Sequence, residues 1–245
     1  MIRHVRNFGR LVRTAWVLSR YDALFALDAG EPPAPVKAAR SIAKLRQKFG
    51  GSSAKGSEGD RLAAALTELG PSYIKLGQFL ATRPDVIDPA LARDLAKLQD
   101  RLPPFDTTIA KQIIADEFDK PAETVFQDMG DAVAAASIAQ VHKATVPYAE
   151  GQNHPVAVKV LRPDVERRFA ADLEAFFWAA RLIDRMVPSA RRLKPIDVVQ
   201  TLADSVALEM DLRLEAAAMS EMEERTKGDA GFRTPSIDWE RTSKR

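Results

Sequence analysis

The chain has 245 residues, of which 29% are charged, and a formal net charge of +2. That length and composition are typical of a globular protein with one large domain or a small domain plus extensions. It has no cysteine and only three scattered histidines, which excludes disulfides, thiolate chemistry and cysteine-based zinc sites. The nearly balanced charge argues against a nucleic-acid-binding protein.

The N-terminal residues predict a basic amphipathic helix. Four apolar residues recur at helical spacing, and the arginines between them fall on other faces. The apolar stripe is Val5, Phe8, Val12 and Trp16, and the arginines are Arg3, Arg6, Arg10, Arg13 and Arg20. The stripe either contacts an anionic membrane surface or packs on the domain. No stretch is long and apolar enough to span a membrane, and the arginines interrupt any signal-peptide core.

A Gly- and Ser-rich segment at residues 50–59 predicts a flexible linker. From 60 to 102, leucines at helical spacing predict helices, with prolines between them. Pro103-Pro104 ends that run. Asp106 then predicts the N-cap of a helix that ends near Phe118.

From about residue 123 the pattern changes towards β structure. Residues 141–146 and 155–161 are short runs rich in β-branched residues, joined by a turn-rich segment, and they predict two strands. A helix to about Val187 and a second over residues 195–227 follow. Helices, a hairpin and further helices in this order predict an α+β fold.

The segment Ala134-Ala-Ala-Ser-Ile-Ala-Gln-Val141, followed by Val156-Ala-Val-Lys159, keeps the frame of the kinase nucleotide loop, G-x-G-x-x-G-x-V then V-A-I-K. Ala134, Ala136 and Ala139 stand where that loop has glycines. Alanine disfavours positive φ, and its Cβ holds a phosphate farther from the backbone. The motif spacing predicts either a nucleotide site that binds phosphate differently from a glycine loop or a buried hairpin with one lysine at its rim.

Lys159 shares one face of its predicted strand with Ala157 and Leu161. A lysine there needs a carboxylate or a phosphate if it is buried. The helix over 195–227 offers Asp211 and Glu215, four residues apart and on one side, although such acids often form a solvated face. A strand lysine paired with a helix glutamate is the kinase arrangement for the α- and β-phosphates, so we expect Lys159 to pair with Glu215.

Four segments in order cover about residues 60–225. They are Leu69-Gly-Pro-Ser-Tyr-Ile-Lys-Leu-Gly-Gln-Phe-Leu-Ala-Thr-Arg-Pro-Asp85, Ala134-Ala-Ala-Ser-Ile-Ala-Gln-Val-His142, Val156-Ala-Val-Lys-Val-Leu-Arg-Pro163 and Glu209-x-Asp211-x-x-x-Glu215-Ala216. Together they resemble the UbiB family of atypical kinase-like ATPases, which supports ubiquinone biosynthesis. The resemblance implies a protein-kinase-like N-lobe, a small antiparallel sheet plus a long helix, with an N-terminal helical extension.

The resemblance assigns roles to individual residues. Lys75 and Gln78 match the K-x-G-Q signature, carried on an extension that folds over the nucleotide site. Glu209 and Asp211 match the E-x-D signature, which faces the K-x-G-Q residues in that family. We therefore expect Lys75 to approach Glu209 or Asp211 and to help exclude peptide substrates.

The resemblance also implies a nucleotide site. Lys159 matches the strand lysine and Glu215 its helix partner. The implied nucleotide-binding residues are Ala134, Ala135, Ala136, Ser137, Ile138, Ala139, Val141, Ala157 and Lys159. The implied cofactors are ATP and Mg²⁺.

Domain ranges, partners and location follow as expectations. The ranges are 1–49 for a basic N-terminal segment, 50–59 for the linker, 60–122 for the helical extension and 123–245 for the kinase-like N-lobe. The implied partners are nucleotide, an anionic membrane surface, and lipids or enzymes of the ubiquinone pathway. The implied location is peripheral, at the cytoplasmic face of a bacterial inner membrane, and the implied step lies around polyprenylphenol hydroxylation.

One departure from the kinase pattern is important. Kinase-like catalysis needs a catalytic-loop Asp and a metal-binding Asp, yet neither H-x-D-x-x-x-x-N nor D-F-G occurs in these 245 residues. We expect the chain to be an N-terminal portion whose C-lobe and metal ligands lie beyond Arg245, and to show no ATP turnover by itself. The alternative is a non-catalytic nucleotide-sensing or lipid-binding regulatory module.

Overall fold

The computed structural model divides into two compact units, each made of two stretches of chain. The helical unit comprises Met1–Asp100 and Arg167–Ala203, and the sheet unit comprises Arg101–Glu166 and Asp204–Arg245. The residues that the structure describes are 2–23, 56–98, 102–147 and 153–245.

Secondary-structure elements are numbered here in chain order. Their bounds are α1 Ile2–Arg20, α2 Glu58–Leu69, α3 Pro71–Ala81, α4 Pro89–Leu95, α5 Thr107–Phe118, α6 Ala122–Val125, β1 Ala132–Ala135, β2 Ala139–Pro147, β3 Asn153–Leu161, α7 Val165–Met186, α8 Pro195–Glu209 and α9 Leu212–Arg225, with 3-10 turns at Pro188–Leu193 and Trp239–Arg241. Both predicted strands and the helix of residues 165–186 are confirmed. β1, which the sequence analysis did not predict, precedes them.

Helix α2 begins inside the segment predicted to be a linker. The Ser57 hydroxyl accepts a hydrogen bond from the Asp60 N–H at 3.1 Å, and the Asp60 carboxylate accepts one from the Ser57 N–H at 2.9 Å. This capping box starts the helix. Gly59 is buried in this helix, and the Asp94 side chain occupies the space that a Cβ at this position would fill. The linker therefore ends before Ser57, and residues 50–55 lie outside the described residues.

One face of α1 belongs to the core of the helical unit. Val17 and Leu18 are buried there. The hydroxyls of Thr14 and Tyr73 lie 2.6 Å apart, and the Tyr73 ring meets Phe176 edge to face with centroids 5.0 Å apart. Burial raises the pKa of the Tyr73 hydroxyl. These contacts fix the rotation of α1 about its own axis.

The apolar stripe of α1 faces away from that core. Phe8, Val12 and Trp16 remain 53%, 51% and 51% exposed, and the Arg20 guanidinium lies 4.9 Å from the centre of the Trp16 ring. The alternative that the stripe packs on the domain is therefore wrong for these three side chains. The side chain of Val5 lies outside the described residues.

The sheet has three antiparallel strands in the order β1-β2-β3. Its register aligns Ala134 with Val141 and Val141 with Lys159, so these residues form one row across the sheet. Between Ala132 and Ala134 the register of β1 shifts by one residue, which is a β-bulge. Val158, which neighbours Lys159 along β3, points to the opposite face and is buried.

Helix α5 covers the buried face of the sheet. The Asp106 carboxylate accepts from the Thr108 N–H at 2.7 Å, and the helix ends at Phe118, so the predicted N-cap and helix are confirmed. Because its apolar side fills the space beneath the strands, α5 belongs to the sheet unit, although its residues were assigned to the helical extension by sequence. The buried core is Ala110, Ile113, Ile114, Ala122, Val125, Phe126, Ala144, Val146, Val158 and Val160.

Residues 195–227 form two helices instead of the single helix that was predicted. The chain leaves helical geometry after Glu209, and Asp211 caps α9 by accepting from the Arg213 N–H at 3.1 Å. The single-helix prediction was wrong because aspartate competes for the backbone donors of a helix start. Asp211 and Glu215 therefore do not share one side of a continuous helix.

The tight contact at Gly59 gives a stability test. Asp94 Cβ lies 2.0 Å from the ideal Cβ position of Gly59, so Gly59→Ala is expected to lower the free energy of unfolding by about 1–3 kcal/mol. Gly9→Ala is the control, because nothing lies within 4 Å of its Cβ position in α1. It is expected to keep or raise stability, by up to about 1 kcal/mol. Urea unfolding measures both, and a Gly59→Ala midpoint equal to that of the parent would contradict the close approach.

Candidate nucleotide site

The predicted ion pair between Lys159 and Glu215 is confirmed. Lys159 Nζ lies 2.7 Å from one carboxylate oxygen of Glu215 and 2.6 Å from the other. The lysine comes from β3 and the glutamate from the first turn of α9, where a carboxylate is favoured by the helix dipole. The side chains are 36% and 44% exposed, so the pair is open to water and to a ligand.

The open face of the sheet surrounds this pair with small apolar side chains. Ala134, Val141 and Lys159 lie in one row, and Ala157 is on the same face, two residues before the lysine. Val141, Ala157, Lys159 and Glu215 line a cleft of about 1540 Å³ within the sheet unit. Apolar side chains beside the ammonium group of Lys159 suit an aromatic base joined to phosphate groups.

The alanine-rich segment forms the end of β1, a tight turn and the start of β2. Ala134 and Ala135 end β1, and Ala139 begins β2, as the loop of a nucleotide hairpin requires. The Ala136 N–H donates to the Ala139 carbonyl at 2.8 Å. Residues 134–139 are all described and none has positive φ, so the turn does not adopt the glycine-only geometry of a typical phosphate loop. Ser137 and Ile138, at its tip, and Ala139 are buried.

Contacts that the sequence analysis missed hold this turn in place. Arg162 Nε donates to the Ala136 carbonyl at 2.9 Å, and the Arg162 N–H donates to the Ile138 carbonyl at 2.8 Å. Its Nη2 also donates to the Pro103 carbonyl at 3.0 Å. The available signals were Arg162-Pro163 at the close of the third motif and Pro103-Pro104, which we had interpreted only as a helix stop.

A buried polar chain ties the same proline segment to β2. Gln140 and His142 are 1% and 0% exposed. The Gln140 side chain accepts from the Phe105 N–H at 2.9 Å and donates to the Phe105 carbonyl at 3.1 Å. Its nitrogen also lies 2.9 Å from His142 Nε2, while His142 Nδ1 lies 2.8 Å from the Gly130 carbonyl. Nδ1 of His142 is therefore the donor and Nε2 the acceptor. The side chains of Gln140 and His142 thus have all their nitrogen and oxygen atoms hydrogen-bonded.

The E-x-D residues lie at the junction of α8 and α9. Glu209 is the last residue of α8, and Asp211 is the N-cap of α9. The Arg213 guanidinium donates two hydrogen bonds to Asp211, at 2.9 and 2.6 Å, which lowers the pKa of that carboxyl. Lys244 pairs with Glu166 at 2.7 Å, and this contact raises the pKa of the lysine. In this structure, Asp211 starts a helix.

The K-x-G-Q residues lie on α3. Gly77 is buried, and a Cβ there would lie 2.7 Å from a methyl group of Leu66 and 2.8 Å from one of Leu98. The glycine of the signature therefore permits close packing within the helical unit. Lys75 and Gln78 are half-buried. Since they belong to the helical unit and Glu209 and Asp211 to the sheet unit, the expected approach of Lys75 to these acids remains a prediction.

The structure supports the two expected cofactors, ATP and Mg²⁺, to different degrees. The open sheet face and Lys159 suit a nucleotide. Within the described ranges, no group of three or more His, Asp or Glu residues is placed to hold a metal ion. Since Mg²⁺ bound with a nucleotide uses one or two protein carboxylates together with phosphate oxygens, the expected Mg²⁺ stays a prediction.

Comparison with known proteins gives a family match. The model of the ABC1 atypical kinase-like domain matches residues 97–245. That range contains all three strands, the alanine-rich turn, Lys159 and Glu215. It also contains Arg162 and the proline segment that hold the turn.

Individual relatives agree with this match. A "Probable protein kinase UbiB" of Marinobacter nauticus is 38% identical over 236 residues, which are 96% of this chain and 42% of the relative. Proteins with the same name are 43% identical over 185 residues in Vibrio cholerae and 44% over 159 residues in Shewanella piezotolerans. These matches cover 75% and 64% of this chain, and 33% and 28% of the relatives. The chain thus spans less than half the length of these curated relatives.

The exposure of the Lys159–Glu215 pair predicts a small contribution to stability. In a double-mutant cycle with Lys159→Met and Glu215→Gln, we expect a coupling energy below about 1 kcal/mol, because water screens the pair. Lys111 and Glu123, 3.0 Å apart in the same unit, give a reference cycle for an exposed pair. Chemical denaturation measures the coupling energy in both cycles. A coupling energy above about 3 kcal/mol for Lys159 and Glu215, as for a buried pair, would refute the prediction that this pair contributes little to stability.

Proposed function

Because the chain belongs to the ABC1 atypical kinase-like family, we propose that it is the ATP-binding part of an atypical kinase or ATPase that supports ubiquinone biosynthesis. The observation that carries the proposal is the row of Ala134, Val141 and Lys159 across the sheet, with Glu215 holding the lysine. This is the strand-lysine and helix-glutamate arrangement that kinases use at the α- and β-phosphates.

Each residue has a stated task in the proposed site. Lys159 binds the phosphates, and Glu215 orients its ammonium group. Val141 and Ala157 present the apolar surface on which the base lies. The alanine-rich turn limits how closely the backbone approaches the phosphates, because each Cβ occupies space that a glycine leaves empty. Mg²⁺, when bound with the nucleotide, would neutralise phosphate charge.

The biological role rests on the motifs and the relatives. The name that the relatives share supports a kinase class. The four motifs that resemble the UbiB family support ubiquinone biosynthesis, at a step around polyprenylphenol hydroxylation. A non-catalytic nucleotide-sensing or lipid-binding module is the second candidate, favoured by the buried tip of the turn. Mg²⁺-dependent ATP hydrolysis by the full-length protein, lost in Lys159→Met, distinguishes an enzyme from such a module.

The proposal also includes an anionic membrane surface as a partner of α1. Phe8, Val12 and Trp16 are exposed on one side, while Arg6 and Arg13 are exposed nearby. An exposed apolar stripe flanked by arginines fits the boundary between anionic headgroups and acyl chains. Among the described residues, no helix is long and apolar enough to cross a membrane. We propose peripheral attachment at the cytoplasmic face of a bacterial inner membrane, close to ubiquinone-pathway lipids or enzymes.

Replacing Ala134 by glycine tests the alanine-rich turn. In the full-length protein, Ala134→Gly is expected to change the Kd of ADP or ATP by at least about twofold, because glycine for alanine changes backbone free energies by about 0.5–1 kcal/mol. Ala132→Gly, in the same strand but opposite His142, is the control and is expected to bind like the parent. Isothermal titration calorimetry gives the Kd of each nucleotide for all three proteins. If Ala134→Gly binds ATP as tightly as the parent does, and ADP likewise, the proposed role of the turn is refuted.

Point variants of α1 test the membrane partner without removing the helix. The double variant Phe8→Glu with Trp16→Glu is expected to lose binding to anionic vesicles, because it places two charges in the inserted face. Met222→Glu, at an equally exposed apolar position of α9, is the control and should float with the vesicles. Salt should weaken binding, since each arginine near an anionic surface contributes about 1 kcal/mol. Unchanged flotation after deletion of residues 1–25 would show that α1 is not the anchor.

A further inference from the structure

Helix α9 contributes little to the buried core of the sheet unit. All fourteen of its residues are described, and Ala216 alone among them is buried. A helix with so little buried surface can shift at a small cost in free energy, so its position depends on the polar bonds at its start. That position is important because Glu215, the partner of Lys159, lies in its first turn.

A two-residue segment, Lys244 and Arg245, joins α9 to the sheet, and we call it the strap. The Arg245 carbonyl accepts from the Leu161 N–H at 2.9 Å, and the Lys244 carbonyl accepts from the Leu212 N–H at 3.0 Å. Leu161 is the last residue of β3, and Leu212 is the first residue of α9. The first N–H groups of a helix have no acceptor within the helix, so the strap supplies one.

Both bonds of the strap lie close to the ion pair of the site. Lys159 lies two residues before Leu161 on β3, and Glu215 lies three residues after Leu212 on α9. Each of these separations lies within one regular element. The strap therefore fixes where the lysine and the glutamate stand relative to each other.

Further bonds hold the strap itself in place. Lys244 Nζ lies 2.7 Å from a carboxylate oxygen of Glu166, in the first turn of α7. The Arg245 N–H donates to the Glu117 carboxylate in α5 at 3.3 Å. Neither Lys244 nor Glu166 lines the cleft that contains Lys159. An effect of the Lys244 side chain on a bound nucleotide must therefore pass through the strap and α9.

We propose that the strap positions α9 for nucleotide binding: it holds the start of α9 against the end of β3, which keeps Glu215 at the ammonium group of Lys159. The inference rests on the proposed nucleotide site. A shift of α9 away from the sheet would take from Lys159 the carboxylate that orients it. Lys244 thus acts on a nucleotide through α9, and not by contact with it.

The bond between Leu212 and the strap can be removed alone. Leu212→Pro in the full-length protein deletes the N–H that the strap binds. Proline suits the first position of a helix, and Asp211 before it has the extended φ of −126° and ψ of 97° that suit a residue before proline. Leu212→Ala is the matched control, because it also removes the leucine side chain but keeps the N–H.

Isothermal titration calorimetry with ADP compares these two variants. We expect the Kd of ADP to be at least about threefold higher for Leu212→Pro than for Leu212→Ala, as for the loss of one hydrogen bond. The same comparison in a Glu215→Gln background separates positioning from a general loss of stability. Because the strap acts through the Glu215 carboxylate, the ratio of the two Kd values should fall to about one in that background.

The outcomes separate the inference from the proposed function. Equal Kd values for folded Leu212→Pro and Leu212→Ala, or a ratio that persists in the Glu215→Gln background, overturn the inference alone. Absence of ADP binding by the parent overturns the proposed function and this inference with it.

A milder variant keeps the test decisive where Leu212→Pro does not fold. Lys244→Met removes the bond to Glu166 but leaves the backbone bonds, so the Kd of ADP should rise about twofold, as for an exposed ion pair. Amide exchange in peptides covering residues 212–225 should accelerate. Lys111→Met is its control, because Lys111 pairs with Glu123 at 3.0 Å in the same unit, and it should keep both parent values. Parent values for Lys244→Met would overturn the inference.

Discussion

The antiparallel pairing of β2 with β3 is the constraint on which the site depends. The two strands run in continuous register from Ala139 opposite Leu161 to Pro147 opposite Asn153. This register puts Lys159 beside Val141 on one face and leaves Val158 and Val160 for the core on the other. Burial of those valines on α5 holds the strands in register, because a shift by one residue would bury the lysine and expose the valines.

Two sets of contacts at the site have different physical roles. The Lys159–Glu215 pair is half-exposed, so it contributes little to folding and remains able to meet a phosphate. The Gln140–His142 chain is fully buried, and its hydrogen bonds fix one arrangement of the backbone. The residues proposed to bind the nucleotide are thus distinct from the buried hydrogen bonds that fix the backbone beside them.

Hydrophobic periodicity and the chemistry of single residues were sufficient to predict much of the secondary structure. Alternating β-branched residues located β2 and β3, and Asp106 located the start of α5. The ion pair of Lys159 and Glu215 was expected from the kinase arrangement of a strand lysine and a helix glutamate. The break between α8 and α9 was missed because a single capping aspartate interrupts a pattern that is otherwise helical on both sides.

The remaining features depend on contacts between residues that are distant in sequence. Nothing in the local composition tells that α5 packs on the sheet, since its apolar residues would suit either unit. The role of Arg162 at the turn arises from carbonyls 24 and 26 residues earlier in the chain, and backbone carbonyls have no sequence signature. The packing roles of the glycines at 59 and 77 have no local signal, because the side chains that approach them come from other segments of the chain.

The bulge in β1 limits how this hairpin can vary by insertion or deletion. Val133 is the extra residue between Ala132 and Ala134, and it is 57% exposed. Without it, β1 would pair regularly, and either Ala134 would move to the face of His142 or the turn would shorten by one residue. Substitution of the Val133 side chain is therefore tolerable, whereas deletion of the residue would shift the pairing of the alanine-rich turn relative to β2 and Lys159. The length of this segment is under stronger constraint than the identity of its side chain.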